Sequence, residues 1–283
     1  MIPARLHLRK PSGGAVEVLL LEHLADQSWQ ALVKPSRKVA PGSRIIAGPG
    51  LIVAFGETLA GGRRGVRLLD DDGRALAHGA EEHALEVYGE APLPPYITTP
   101  LADPSRYQTT YARVPGSAAA PTAGLHFTPE LFAALTARGV GIAKVDLCVG
   151  LDTFRPVTAD RPEDHDIHSE RYDVPASTWD AIARTKAAGG RVVAVGTTTV
   201  RSLETAAASG ALSGRTKLLI YGDYPFAVVD VLMTNFHLPR SSLLLLVEAF
   251  TGERWRDLYD DAITGGYRFL SLGDALLLRR RAG

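Results

Sequence analysis

The chain has 283 residues, enough for one large domain or two ordinary ones, and its 46% hydrophobic and 22% charged residues suit a globular protein with a real core. Its 31 basic residues balance 31 acidic ones, which excludes a global field that draws in nucleic acid, so any RNA partner must be held by local clusters. A single cysteine, Cys148, excludes an internal disulfide framework and fits a reducing cytoplasm; no apolar run is longer than that at 243–247, which is too short to span a bilayer, and no secretory signal is expected from the opening residues.

Residues 1 to about 90 read as all-β. Short apolar or alternating runs recur at 16–21, 29–33, 44–47, 51–55, 65–69 and 84–88. Turn signals separate them, among them Ser12-Gly13-Gly14, Pro41-Gly42, Gly48-Pro49-Gly50 and Asp71-Asp72-Gly73. Strands at this even spacing predict a small barrel or sandwich. Pro92, Pro94 and Pro95 then form a stiff, non-helical joint, which sets the expected boundary between a β domain, 1–95, and a second domain, 96–283.

Beyond about residue 100 helices and strands alternate. Thr128-Pro129-Glu130 is a helix start, with a hydroxyl cap, proline at the first helical position and an acid in the first turn. That helix should end near Gly139 and feed a strand over 142–149. Further helices are predicted over 175–188, from the Gly196-Thr197-Thr198-Thr199 turn to about 209, and over 241–250 and 253–263. Strands are predicted over 191–195 and 217–221. The pattern is that of an α/β domain with a largely buried sheet.

The common catalytic signatures are missing. There is no Gly-x-Ser-x-Gly elbow, no Walker A loop and no complete Gly-x-Gly-x-x-Gly. His126, His165, His168, Glu170 and His237 include the residue types of a metal site, but no His-Glu-x-x-His occurs and the lone cysteine forbids a thiolate site, so no metal is expected.

Four polar-aromatic clusters do carry a signal. They are Pro121-Thr122-Ala123-Gly124-Leu125-His126-Phe127, His168-Ser169-Glu170 with Tyr172, Gly196 through Glu204, and Thr234-Asn235-Phe236-His237-Leu238-Pro239. All sit at loop–helix or strand–helix junctions, where backbone N–H groups converge on ligands in α/β sheets. The 196–199 turn can hold a carboxylate or phosphate, although threonine capping alone would also explain it. Arg201 and Glu204 stand three apart on the same predicted helix, the spacing of a plain ion pair.

These residues bring in a family. Tyr107-Gln108-Thr109-Thr110-Tyr111-Ala112, the 120–127 run, Val149-Gly150-Leu151-x-Thr153-Phe154, His168-Ser169-Glu170, Gly196-Thr197-Thr198 with Arg201, 234–239 and Leu272-Gly273-Asp274-Ala275 resemble, in order and spacing, the signature blocks of the S-adenosylmethionine:tRNA ribosyltransferase-isomerases. Ile2-Pro3-Ala4-Arg5-Leu6 and Leu93-Pro94-Pro95-Tyr96-Ile97 match as well, so the likeness spans the chain. It departs at Asp152, Ile167, Thr98, Gly222-Asp223 and Glu248. Family members begin several dozen residues earlier, so an opening part of the α/β domain is expected to be missing here.

The resemblance implies an α/β domain with a small β-barrel inserted into it. It also implies transfer and isomerisation of the ribosyl part of S-adenosylmethionine onto 7-aminomethyl-7-deazaguanine in the wobble position of tRNA, giving epoxyqueuosine-tRNA, adenine and methionine. S-adenosylmethionine is then a substrate, with no cofactor and no metal. A sulfonium acidifies the adjacent carbon and departing adenine needs a proton, so His126, His168, Glu170 and His237 become the acid–base candidates. Substrate contacts are expected from Tyr107, Thr122, Gly124, Phe127, Thr153, Ser169, Gly196, Thr197, Thr198, Arg201, Thr234, Asn235 and Phe236, with aromatic rings stacking on the bases or facing the sulfonium. RNA contacts are expected from Lys34, Arg37, Lys38, Arg63 and Arg64, and a monomer is expected. Two other readings stand beside this one: a transferase consuming S-adenosylmethionine with another nucleobase acceptor, and a non-catalytic RNA-binding relative.

Overall fold

The structure is a computed structural model that describes residues 1–59, 62–94, 96–99, 101–113, 116–148, 161–165, 167 and 169–281. Contacts divide the chain into two compact units, one of Met1–Pro104 with Ala112–Ala119, the other of Ser105–Tyr111 with Ala120–Gly283.

Among its described residues the first unit holds β1 (Arg5–Arg9), β2 (Ala15–His23), β3 (Trp29–Lys34), β4 (Arg44–Gly48), β5 (Leu51–Thr58), β6 (Arg64–Leu69), α1 (His78–Tyr88) and β7 (Gly89–Glu90). The strands form one antiparallel sheet in the order β4-β5-β6-β3-β2-β1-β7. Period-two alternation buries one face. Leu6 and Leu8 of β1, Trp29, Ala31 and Val33 of β3, and Leu51, Val53 and Phe55 of β5 all point into the core. The sheet curls, because β4 at one edge comes back close to β1 near the other.

The strand expected over 84–88 is instead the end of α1. Its Ala-Leu-Glu-Val alternation imitates a strand, but the run Ala80-Glu81-Glu82-His83-Ala84-Leu85-Glu86 is rich in helix formers and buries Glu81, Ala84 and Leu85 at helical spacing.

In the second unit, β10 (Val193–Val195), β12 (Val231–Asn235) and β13 (Ala275–Arg279) make one sheet, parallel between β10 and β12 and antiparallel between β12 and β13. A second, antiparallel sheet is formed by β8 (Asp146–Cys148), β9 (Glu170–Asp173) and β11 (Ser213–Thr216). The described α-helices of this unit are α2 (Pro129–Ala137), α3 (Ala176–Ala187), α4 (Thr197–Ser209), α5 (Ser242–Thr251) and α6 (Arg254–Thr264). The core gathers Val200, Leu203, Leu232, Phe236, Leu246, Val247 and Phe250 from α4, α5 and the β12 region.

Two strand expectations change here. Within 142–148, the described part of the first, only Asp146–Cys148 is strand, and 217–221 is irregular. There Ile220 is buried and the Leu218 N–H donates to Thr216 Oγ1, so an apolar run packs in the core without joining a ladder. The start at Thr128 is as expected: its hydroxyl accepts the Leu131 N–H at 3.2 Å, with Pro129 at the first helical position. Such a cap contributes about 1 kcal/mol.

Candidate active site

Parallel strands β10 and β12 end at the same edge of their sheet, so the loops that follow lie side by side. After β10 the chain turns at Gly196, whose φ of 92° is a left-handed conformation that favours glycine, and α4 begins. The Gly196 N–H donates to the Met233 carbonyl at 2.8 Å and fixes this turn against β12.

No side chain caps the N terminus of α4. Thr199 instead donates back to the Val195 carbonyl at 2.7 Å, and Ser202, a turn further on, to the Thr198 carbonyl at 2.9 Å. Thr197 is buried, while Thr198 and Thr199 are half-buried. Threonine capping therefore does not explain the motif, and the first-turn N–H groups remain suited to an anion.

The 3₁₀ turn Thr122–His126 lies at the end of β12. The Thr122 hydroxyl donates to Asn235 Oδ1 at 3.0 Å, and Asn235 Nδ2 stands 3.2 Å from His126 Nε2. With its carbonyl oxygen taken, the amide presents its NH2 to the ring, so Nε2 accepts and the imidazole proton sits on Nδ1. His126 is half-buried, and a Cβ on Gly196 would meet the Ala123 methyl at 3.8 Å. Thr122, His126, Gly196 and Asn235 are thus brought together.

Gly124 has a separate reason to lack a side chain. A Cβ there would lie 2.1 Å from the Tyr111 hydroxyl oxygen and 3.0 Å from Thr109 Cγ2. Phe127, half-buried, packs on Phe132 with ring centroids 5.4 Å apart, and its carbonyl accepts from the Thr110 hydroxyl at 2.9 Å.

One turn further along α4, Arg201 is buried and paired with Glu170 of β9. Its Nε donates to the Leu218 carbonyl at 2.9 Å, while its Nη2 is buried without a hydrogen-bond partner among the described residues. Burial lowers the guanidinium pKa, partly offset by Glu170. The simple ion pair of Arg201 with Glu204 is not formed. Glu204 instead accepts the backbone N–H groups of Ala227, Val228 and Val229 at 2.8, 3.0 and 3.0 Å, organising the approach to β12.

His237 is buried, and its Nε2 lies 2.9 Å from Thr234 Oγ1. Its backbone N–H donates to the Tyr259 hydroxyl at 3.0 Å. Burial brings its pKa down to about 4, so the ring is neutral at physiological pH. Phe236 is a core residue, enclosed by Phe269, Tyr259 and Tyr267 with centroids 4.9, 5.5 and 5.7 Å away. Tyr107 is fully buried, its hydroxyl 3.1 Å from Ser271 Oγ. Ser169 Oγ accepts from Arg215 Nε at 3.0 Å. His168 and Thr153 lie outside the described residues.

Arg64 needs correction as an RNA contact. It is 2% exposed, and its guanidinium donates to the carbonyls of Gly56 and Val39 at 2.8 Å each and of Ser36 at 3.3 Å. Lys34, Arg37 and Lys38 are exposed, and Arg63 is half-buried with Nη1 on Gln30 Oε1 at 3.0 Å.

Ser271, Tyr259 and Thr109 also support the site and were not foreseen as members of it. Ser271 immediately precedes the Leu272-Gly273-Asp274 block, a signal that could have flagged it. Tyr259 lies in an ordinary amphipathic helix and offered none. Among the described residues no group of three or more His, Cys, Asp or Glu is placed to hold a metal ion, and no helix is long and apolar enough to cross a membrane.

A family model described as queuosine biosynthesis protein matches residues 1–278. The chain belongs to this family. Curated relatives named S-adenosylmethionine:tRNA ribosyltransferase-isomerase are similar over nearly its whole length. That of Thermus thermophilus is 50% identical over 291 residues, covering 98% of this chain and 81% of the relative. That of Thermosynechococcus vestitus is 51% identical over 285 residues, covering 98% and 79%. The relative from Symbiobacterium thermophilum is 49% identical over 289 residues, covering 98% and 82%. A crystal structure of S-adenosylmethionine tRNA ribosyltransferase from Thermotoga maritima is 34% identical and covers 98% of this chain and 78% of that one, with a TM-score of 0.47. Membership of the queuosine biosynthesis family thus extends through both compact units.

Proposed function

We propose that this chain is an S-adenosylmethionine:tRNA ribosyltransferase-isomerase. It transfers and isomerises the ribosyl part of S-adenosylmethionine onto 7-aminomethyl-7-deazaguanine in the wobble position of tRNA, giving epoxyqueuosine-tRNA and releasing adenine and methionine. The observation that carries this reading is identity of about half with enzymes of that name over 98% of the chain.

The geometry supports a division of labour within the site. The α4 N terminus and the unpartnered Arg201 Nη2 suit the carboxylate of the methionine moiety. His126, with its proton on Nδ1, offers a hydrogen bond to departing adenine, and Thr122 and Asn235 orient it. The neutral, buried His237 acts as a positioning residue that ties Thr234 to the chain after β12, and Glu170 serves by holding Arg201. His168 and Thr153 complete the expected site. S-adenosylmethionine is consumed, so the reaction calls on no further cofactor.

In this reading the curled seven-stranded sheet is the family's small barrel, 1–95, and 96–283 is the catalytic domain. The enzyme works as a monomer in the cytoplasm. Incubation with S-adenosylmethionine and tRNA carrying the deazaguanine precursor, followed by nucleoside mass spectrometry, tests the function. Epoxyqueuosine with one adenine released per modified tRNA is expected; an unchanged tRNA would refute it.

A further inference from the structure

The curled sheet of the first unit carries an exposed cationic turn. The 3₁₀ turn Ser36–Lys38 follows β3 and, with Lys34, places three cations within five residues. Lys34, Arg37 and Lys38 are all exposed, and no described carboxylate pairs with any of them. Glu17, cross-strand from Lys34, is paired with Arg5 at 3.8 Å. Lys10 adds a fourth cation, since its Nζ donates to the Lys38 carbonyl.

Behind the turn lies Arg64. Among the described residues its partners are carbonyl oxygens: Ser36 and Val39, which bracket the turn, and Gly56 of β5. A guanidinium taken out of water without a carboxylate carries a desolvation cost that backbone dipoles only partly offset. An apolar side chain here would leave the carbonyls of Ser36, Val39 and Gly56 without this donor. What arginine adds is a rigid turn, clamped at both ends, and a positive charge that water screens poorly. Beside it opens a recess of about 410 Å³ lined by Ser36, Arg37, Pro41, Thr58, Gly62 and Arg64 among others. Its described lining includes two cations, Arg37 and Arg64, two hydroxyls, Ser36 and Thr58, and no acid.

We infer that this turn and recess form a docking surface for the sugar-phosphate backbone of RNA. Arg37 and Lys38 contact phosphates, and Arg64 is the positioning residue that holds the turn. The inference rests on the proposed function for its partner, tRNA. It explains how a chain with no net charge can hold a polyanion, by concentrating unpaired cations on a pre-organised turn.

The test measures binding of labelled tRNA transcript to the full chain across a range of salt concentrations, in the absence of S-adenosylmethionine. Loss of two phosphate contacts in the double variant Arg37→Ala, Lys38→Ala should weaken binding at least about tenfold near 0.1 M salt and make the log–log salt slope shallower by about 1.4–1.8. Both side chains are exposed, so melting temperature should not change. Arg64→Lys retains the charge but loses the fork; it should also weaken tRNA binding, and Arg37→Ala should then matter less in its background. Wild-type affinity and slope in the double variant would overturn the surface. Wild-type affinity in a folded Arg64→Lys would overturn the positioning role. Because binding is read without turnover, a failure of the enzymatic reading shows separately, as a wild-type chain that binds tRNA and never releases adenine.

Discussion

Asn235 holds His126 through its amide, with Nδ2 at 3.2 Å from Nε2, while Oδ1 takes the Thr122 hydroxyl at 3.0 Å. One strand-end side chain thereby fixes both the orientation and the tautomer of the half-buried histidine.

Asn235→Ala should free the ring to rotate and exchange tautomers. Loss of orientation should lower kcat by up to about 10²-fold, with a smaller change in KM for S-adenosylmethionine. His126→Ala should cost more, about 10²–10³-fold, because the hydrogen-bond donor itself is gone. Rates of adenine release at saturating tRNA check both. Equal activity in wild type and His126→Ala would remove His126 from the chemistry.

The Arg201–Glu170 pair makes a different kind of prediction. Breaking a buried pair from one side leaves a charge without its partner, so Glu170→Gln or Arg201→Met should lose roughly 3–5 kcal/mol of stability. The double variant Glu170→Leu, Arg201→Met should lose less than either single change while remaining inactive. Chemical denaturation gives the first result and adenine release the second. Additive losses in the double variant would mean that the two residues do not act as a pair.

His237 links stability to pH. Its folded pKa is down near 4, against an ordinary value of 6.5, because burial disfavours the charged ring. Between those two values the unfolded chain binds a proton that the folded chain does not, so stability falls as pH drops through that window. The loss from this residue alone is on the order of 3 kcal/mol by pH 4. His237→Asn should flatten that part of the stability–pH curve. Parallel curves for wild type and variant would show that the ring is not held neutral.

Gly124→Ala should be destabilising despite the small change, since the new methyl carbon would sit 2.1 Å from the Tyr111 hydroxyl oxygen. A cost of about 1–3 kcal/mol is expected from overpacking. Adding Tyr111→Phe removes the opposing oxygen and should recover part of it, which a double-mutant cycle measures. No recovery would place the strain at Thr109 instead.

The sequence showed some of this directly and hid the rest for definable reasons. Thr128-Pro129-Glu130 and Ser241 carry local chemistry that decides a helix start, and both appear as caps. The clusters at 121–127, 196–204 and 234–239 were legible because loop–helix junctions with small and polar residues rarely serve packing alone. What the sequence could not show is which partner a polar residue takes. Arg201 bypasses Glu204, three residues away, for Glu170 on another element. Phe236 and His237 look like site residues but turn into the core, where neighbours from α6 enclose them. Arg64 sits next to the half-buried Arg63 in a basic run, yet strand alternation sends it inward. The helix at 78–88 was lost because its last five residues alternate like a strand.

The most direct test of the central claim follows the five ribosyl carbons. The chain is incubated with S-adenosylmethionine labelled with ¹³C in the ribose and with tRNA bearing 7-aminomethyl-7-deazaguanine, and the tRNA is digested for mass spectrometry. A ribosyltransferase-isomerase places all five labelled carbons on the deazaguanine nucleoside and leaves adenine and methionine unlabelled. A tRNA that gains an unlabelled methyl group, or labelled ribose that never leaves the adenosine, would contradict it.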